Sequence, residues 1–175
     1  MKSVRLSKMA LWLALVSVLS VISIPIGSVP VTLQVFAFFL MSAFLSPWES
    51  LEVSLAYLVV GSIGVPVFAG IQGGMGVLLG PSGGYLFGFP IATFIASFAW
   101  KKKIFFKILL LSVALLSIYL PGMFVLSSYV KGLYNAFKVG VLPFIWIDVI
   151  KVVVVYFVVL RLRRYEAVSQ NSISS

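Results

Sequence analysis

From Leu142 to Leu160 the chain is apolar except for one acid and one base, Asp148 and Lys151. A run of this length can cross the hydrocarbon core of a bilayer, which takes roughly 20 residues of helix. In lipid, a single segment must satisfy its own backbone N–H and C=O groups, so a helix is the form open to it. The acid and the base lie one helical turn apart and can share a face. With a helix starting near Leu142, Asp148 sits about 9 Å from that end at 1.5 Å per residue. Charges at such a depth are costly and turn toward a cavity, a partner or a ligand. Two readings fit the pair: an ion pair that staples helices together, or a polar clamp on a small ligand.

The rest of the chain has the same character. Of 175 residues, 62% are hydrophobic and 10% charged, which leaves room for about five or six spans and no separate soluble domain. The apolar segments are Lys8 to Ile24, Leu33 to Leu45, Leu51 to Ser62, Gly84 to Ala99, Ile104 to Leu120 and Leu142 to Leu160. Pro25, Gly27 and Pro30 break the chain after the first, Ser46-Pro47-Trp48-Glu49 turns it after the second, and Pro121-Gly122 ends the fifth. The second and third segments are short and call for tilt or shielding by neighbours. Met123 to Gly140 is mixed and reads as an outer connection with a short helix. The expected fold is an all-α integral membrane protein of six transmembrane helices. Residues 1–165 form its single domain, and 166–175 a polar, disordered cytoplasmic tail.

The net charge of +9 does not point to nucleic acid, because the cations cluster as they do in membrane proteins. Lys2, Arg5 and Lys8 precede the first span; Lys101, Lys102, Lys103 and Lys107 lie between the fourth and fifth; Arg161, Arg163 and Arg164 follow the last. Six spans with both termini in the cytoplasm put all three clusters on the cytoplasmic side. The basic, apolar start lacks a small-x-small cleavage site and reads as a retained span. With no cysteine and no histidine, disulfides, Cys/His metal sites and imidazole catalysis are excluded. The four acids are Glu49, Glu52, Asp148 and Glu166. No cofactor is expected.

Seven of the fourteen glycines fall between Gly70 and Gly84. The stretch that holds them, Gly64 to Tyr85, is too apolar for an exposed loop and too rich in glycine for a good helix. Irregular backbone at membrane depth survives only where protein or a cavity covers it, so the stretch reads as a re-entrant or lid-like loop between helices 3 and 4. It lacks the Gly-Lys-Ser/Thr ending of a phosphate loop. Gly83 and Gly84 open a helix whose free N–H groups suit a carboxylate; Gly84 and Gly88 equally form a Gly-x-x-x-Gly packing pair. Thr32, Gln34 and Gln72 are polar groups in apolar company, able to meet a ligand or a nearby backbone group. Ala10 and Ala14 give a small-x-x-x-small spacing on the first span.

Taken together, Ile24-Pro-Ile-Gly-Ser-Val-Pro-Val-Thr-Leu-Gln34, Gly64-Val-Pro-Val-Phe-Ala-Gly70, Gly80-Pro-Ser-Gly-Gly-Tyr85 and Gly140-Val-Leu-Pro-Phe…Asp148…Lys151 resemble BioY, the biotin-specific S components of energy-coupling factor (ECF) transporters. The resemblance covers nearly the whole chain in order. It implies six helices in the plasma membrane of a prokaryote and capture of biotin from outside under closing loops. It also implies partnership with a transmembrane coupling protein and two ATPases, with Ala10 and Ala14 as the docking face. The chain departs from the pattern at Ile71, where the family often has glycine, and at Trp146-Ile147, where it often has Pro-Gly.

Biotin's ureido ring carries two N–H donors and a carbonyl. Asp148 can accept from the one and Lys151 donate to the other through charge-assisted bonds. Phe68, Tyr85 and Trp146 are expected to cover the thiophane ring and aliphatic chain, and backbone N–H groups near Gly73, Gly74 or Gly83 to take the carboxylate. Lys151 is the rival partner for that carboxylate. Three alternatives stay open at this level: an S component for a different vitamin, a small intramembrane enzyme using Asp148 and Lys151 as acid and base, and a structural subunit without a ligand.

Overall fold

The computed structural model describes residues 2–26 and 29–173, with side chains described through 165. It is a helical bundle. Each expected apolar segment holds a helix: α1 (Lys2–Val21), α2 (Gln34–Ser42), α3 (Pro47–Ser62), α5 (Gly83–Ala99), α6 (Ile104–Ser127) and α8 (Leu142–Ile173). Two short helices, α4 (Met75–Leu78) and α7 (Leu133–Gly140), fall in the glycine stretch and the mixed connection. Among the described residues, α1, α6 and residues 142–165 of α8 are long and apolar enough to cross a membrane. The backbone of α8 runs on to Ile173, past the Leu160 limit expected from hydropathy. The side chains of the expected tail, 166–175, lie outside the described residues.

The short second segment is shielded by its neighbours. All of α2 except Phe36 is buried, as a helix that is apolar all round must be. Phe38 stacks on Phe89 of α5 at 4.4 Å and meets Tyr57 of α3 edge-on at 5.2 Å. The C-terminal carbonyls of α2 are met by two cations. Arg163 donates to the Ala43 oxygen at 2.9 Å, and Lys8 to the Phe44 oxygen at 2.5 Å. Arg163 also reaches the Trp100 carbonyl at the end of α5, at 3.5 Å. Cations at these ends complement the helix dipole as well as the orphan carbonyls.

Three boundaries differ from the sequence reading. The residues flanking the expected break pair as strands: β1 (Ser23–Ile24) runs antiparallel to β2 (Val31–Thr32), Ser23 opposite Thr32. Ser46-Pro47-Trp48-Glu49 is the start of α3 rather than a free turn. Ser46 accepts from the Glu49 N–H while Glu49 accepts from the Ser46 N–H, a capping box with proline in the first turn. Pro121 does not end α6, which continues to Ser127; proline costs a helix one N–H but is tolerated where neighbours compensate. At this point α6 packs closely against α5. A Cβ at Gly84 would run into the Pro121 carbonyl, and one at Gly88 would lie 2.6 Å from the Ile118 Cα. The Gly84/Gly88 pair is therefore a packing seam.

Candidate functional site

Asp148 and Lys151 face inward from α8. The Lys151 Nζ lies 2.6 Å from Asp148 Oδ1, and the two side chains are 11% and 4% exposed. Tyr119 of α6 donates its hydroxyl to the other carboxylate oxygen at 2.7 Å. Each carboxylate oxygen thus has one partner and keeps a second lone-pair direction. The ammonium, with three N–H donors, keeps donors beyond the one given to Asp148. The cluster can therefore accept an N–H and donate to a carbonyl without dissolving its own ion pair.

These groups form one side of a recess of about 40 Å³, whose opposite side holds Thr32, Gln34, Tyr85 and Phe89. Val29, Pro30, Thr32, Gln34 and Tyr85 also line a wider chamber of about 460 Å³, so the two adjoin and are treated together as one cleft. The chamber is within the size range of small-molecule sites. Its other walls include Ser23, Phe68, Gln72 and Ser82.

Local structure holds the walls in place. The Thr32 hydroxyl accepts from the Gln34 N–H at 3.2 Å and closes the entry to α2. The Gln34 amide donates to the Tyr57 hydroxyl at 2.9 Å, and that hydroxyl donates to the Val67 carbonyl at 2.9 Å. This relay ties the start of α2 to the glycine stretch. There, Phe68 and Gln72 exchange backbone hydrogen bonds of 2.8 and 3.3 Å across a tight turn. Phe68 is buried against Tyr57, ring centroids 5.4 Å apart, while Gln72 is exposed. Tyr85 donates to the Gly140 carbonyl at 2.8 Å and so links α5 to the end of α7.

Of the residues singled out from sequence, Asp148, Lys151, Thr32, Gln34, Phe68, Gln72 and Tyr85 line this cleft. Gly73, Gly74, Gly83 and Gly84 do not. The Gly74 N–H is given to the Gly61 carbonyl at 2.7 Å and the Gly83 N–H to the Gly80 carbonyl at 3.0 Å, so neither is free for a carboxylate. Gly73 packs on the Gly64–Val65 backbone, and Gly83 on Leu78. Trp146 is 74% exposed and covers nothing in the cleft; it lies two residues before Asp148 and points to another face of α8. Ala10 and Ala14 are both exposed on α1. Sequence reasoning missed Tyr119, Ser23 and Ser82. A lone tyrosine or serine in an apolar run carries no spacing signal, and only the approach of α6 to α8 gives Tyr119 its role.

The family model for BioY matches residues 1–167. The chain belongs to the BioY family. A biotin transporter BioY from Thermotoga maritima is 44% identical over 164 residues, covering 93% of this chain and 97% of its own length. A probable biotin transporter BioY from Pyrococcus horikoshii is also 44% identical, over 163 residues, covering 93% and 98%. The crystal structure of an S-component for biotin from an ECF-type ABC transporter matches with a TM-score of 0.83 at 27% identity, over 93% of this chain and 92% of that one. The departure from the BioY pattern at Ile71 has a backbone consequence: its φ is +60°, where a β-branched residue is strained and glycine is not.

Proposed function

We propose that this chain is the substrate-binding membrane subunit of a biotin uptake system. It takes biotin from the outer side and delivers it inward when docked to a transmembrane coupling protein and two ATPases. The observation that carries the reading is the Asp148–Lys151 pair, braced by Tyr119 at the inner wall of a cleft roofed by the Phe68–Gln72 turn. Biotin's ureido head matches this cluster: one ring N–H donates to the free lone pair on Asp148, and the ring carbonyl accepts a hydrogen bond from Lys151. Phe68 and Tyr85 flank the thiophane ring and valerate chain. With Gly74 and Gly83 already committed, Gln72, Ser82 and Ser23 are the donors for the valerate carboxylate. Ala10 and Ala14 present an exposed small-residue face for the coupling protein. The basic clusters support both termini lying in the cytoplasm. Named members of the family are transporters, and the reading requires no reaction of Asp148 and Lys151 with the ligand.

The test is binding of labelled biotin to the purified chain in detergent, with Asp148→Asn and Lys151→Met in parallel and thiamine, riboflavin and niacin as competitors. Tight binding, lost in both variants and resistant to the competitors, is the expected result. Binding that survives in both variants removes the site assignment. Displacement by another vitamin removes biotin.

A further inference from the structure

At the opposite end of the bundle from the β1–β2 pair and the glycine stretch lies a second cavity, of about 500 Å³. It is lined by Lys8 of α1, Lys101 and Lys102 from the turn between α5 and α6, Glu49 and Ser97. Glu49 pairs with Arg5 at 3.0 Å and accepts the Ser46 N–H at 2.9 Å; Arg5 also pairs with Glu52, which does not line the cavity, so three lysines face one carboxylate there. Among the described residues, none of the three lysines forms an ion pair. Lys8 donates one hydrogen bond to the Phe44 carbonyl and keeps two N–H donors. Three ammonium groups around one hollow are suited to a phosphate, which lysine binds as a point charge.

The surroundings decide which phosphate. Phe98 lines the same cavity and is 46% exposed. From it an apolar lane runs along the outer face of α5 through Ile91, 54% exposed, to Phe87, 49% exposed. Phe94 lies between, edge-on to both Phe98 and the exposed Trp48. Phe98 to Phe87 spans roughly 16 Å at 1.5 Å per residue, about half of a ~30 Å hydrocarbon core. A cationic hollow at the water boundary that continues into an apolar lane one leaflet deep fits a lipid and not a free phosphate, which has no use for the lane. We infer that this cavity holds the phosphate of an anionic phospholipid, with an acyl chain along the Phe98–Ile91–Phe87 face. Basic pockets between membrane helices recognise such head groups. The site shares no residue with the Asp148–Lys151 cleft and does not depend on what that cleft binds.

The test is retention of lipid by the delipidated chain, read by native mass spectrometry and by the thermal midpoint. Phosphatidylglycerol, phosphatidylcholine and inorganic phosphate are added separately. Phosphatidylglycerol is expected to be retained and to raise the midpoint, while phosphatidylcholine is not. Lys101→Gln with Lys102→Gln is expected to lower retention about 30-fold. Lys131→Gln with Lys138→Gln, the same charge change elsewhere, leaves retention unchanged. Equal retention of phosphatidylcholine, or full retention by the Lys101/Lys102 variant, overturns the proposal. A midpoint shift with inorganic phosphate equal to that with phosphatidylglycerol overturns the lipid as the source. The comparison of lipids on the unaltered chain stands even if the variant folds poorly.

Discussion

Tyr119→Phe removes one oxygen atom and tests how the cleft divides its hydrogen bonds. The phenol donates to Asp148 Oδ2 at 2.7 Å while Lys151 holds Oδ1 at 2.6 Å, and the carboxylate is almost fully buried. A hydrogen bond to a charged group contributes about 1.5–3 kcal/mol. In the ligand-free chain the substitution leaves a buried oxygen short of a donor, so stability should fall by about that amount. In the complex, the ligand N–H takes the second lone pair on the carboxylate and the phenol remains in place. Loss of the phenol then lets the carboxylate rotate, and affinity for biotin should drop roughly 10- to 100-fold, less than for Asp148→Asn. Titration calorimetry on the wild type, both single variants and the double variant measures this. The double variant should bind no worse than Asp148→Asn, since the phenol acts only through the carboxylate. Unchanged or tighter binding by Tyr119→Phe would refute the reasoning, because it would mean that phenol and ligand compete for one position on Oδ2.

Three further outcomes are expected. Arg163→Met strips the donor from the ends of α2 and α5 and should cost about 1–3 kcal/mol of stability, seen as a lowered thermal midpoint; an unchanged midpoint counts against the capping role. Ile71→Gly relieves a β-branched residue held at φ +60° and should raise stability by about 1 kcal/mol net of the extra chain entropy of glycine. A lowered midpoint would show that the exposed Ile71 side chain makes a contact worth more than the strain. Ala14→Trp should leave biotin binding to the isolated chain intact and abolish ATP-driven uptake in the presence of the energising subunits; normal uptake would exclude this face of α1 from docking.

The helices were legible in the sequence because lipid leaves an apolar segment little choice. The pairing of Asp148 with Lys151 was legible because three residues on a helix is a fixed geometry. What hid was whatever depends on the approach of a second segment. Tyr119 is one apolar-run tyrosine until α6 meets α8. The fate of the Gly74 and Gly83 N–H groups depends on where Gly61 and Gly80 lie in space. Pro121 reads as a helix stop, yet α6 continues through it, packed against Gly84 and Gly88 of α5. Trp146 looked like a cover for the ligand by proximity in sequence to Asp148, yet the pitch of the helix turns it away. The Ser46–Glu49 capping box is different: its spacing is local and was readable, but the proline drew the reading to a turn.

α8 carries Asp148 near one end and Arg163 roughly 22 Å away, fifteen residues at 1.5 Å each. One end grips the floor of the cleft and the other is latched to the ends of α2 and α5. The helix carries both groups on one backbone, so they are not independent in position. A rotation of α8 about its axis would therefore move the carboxylate in the cleft and the arginine at the far rim together.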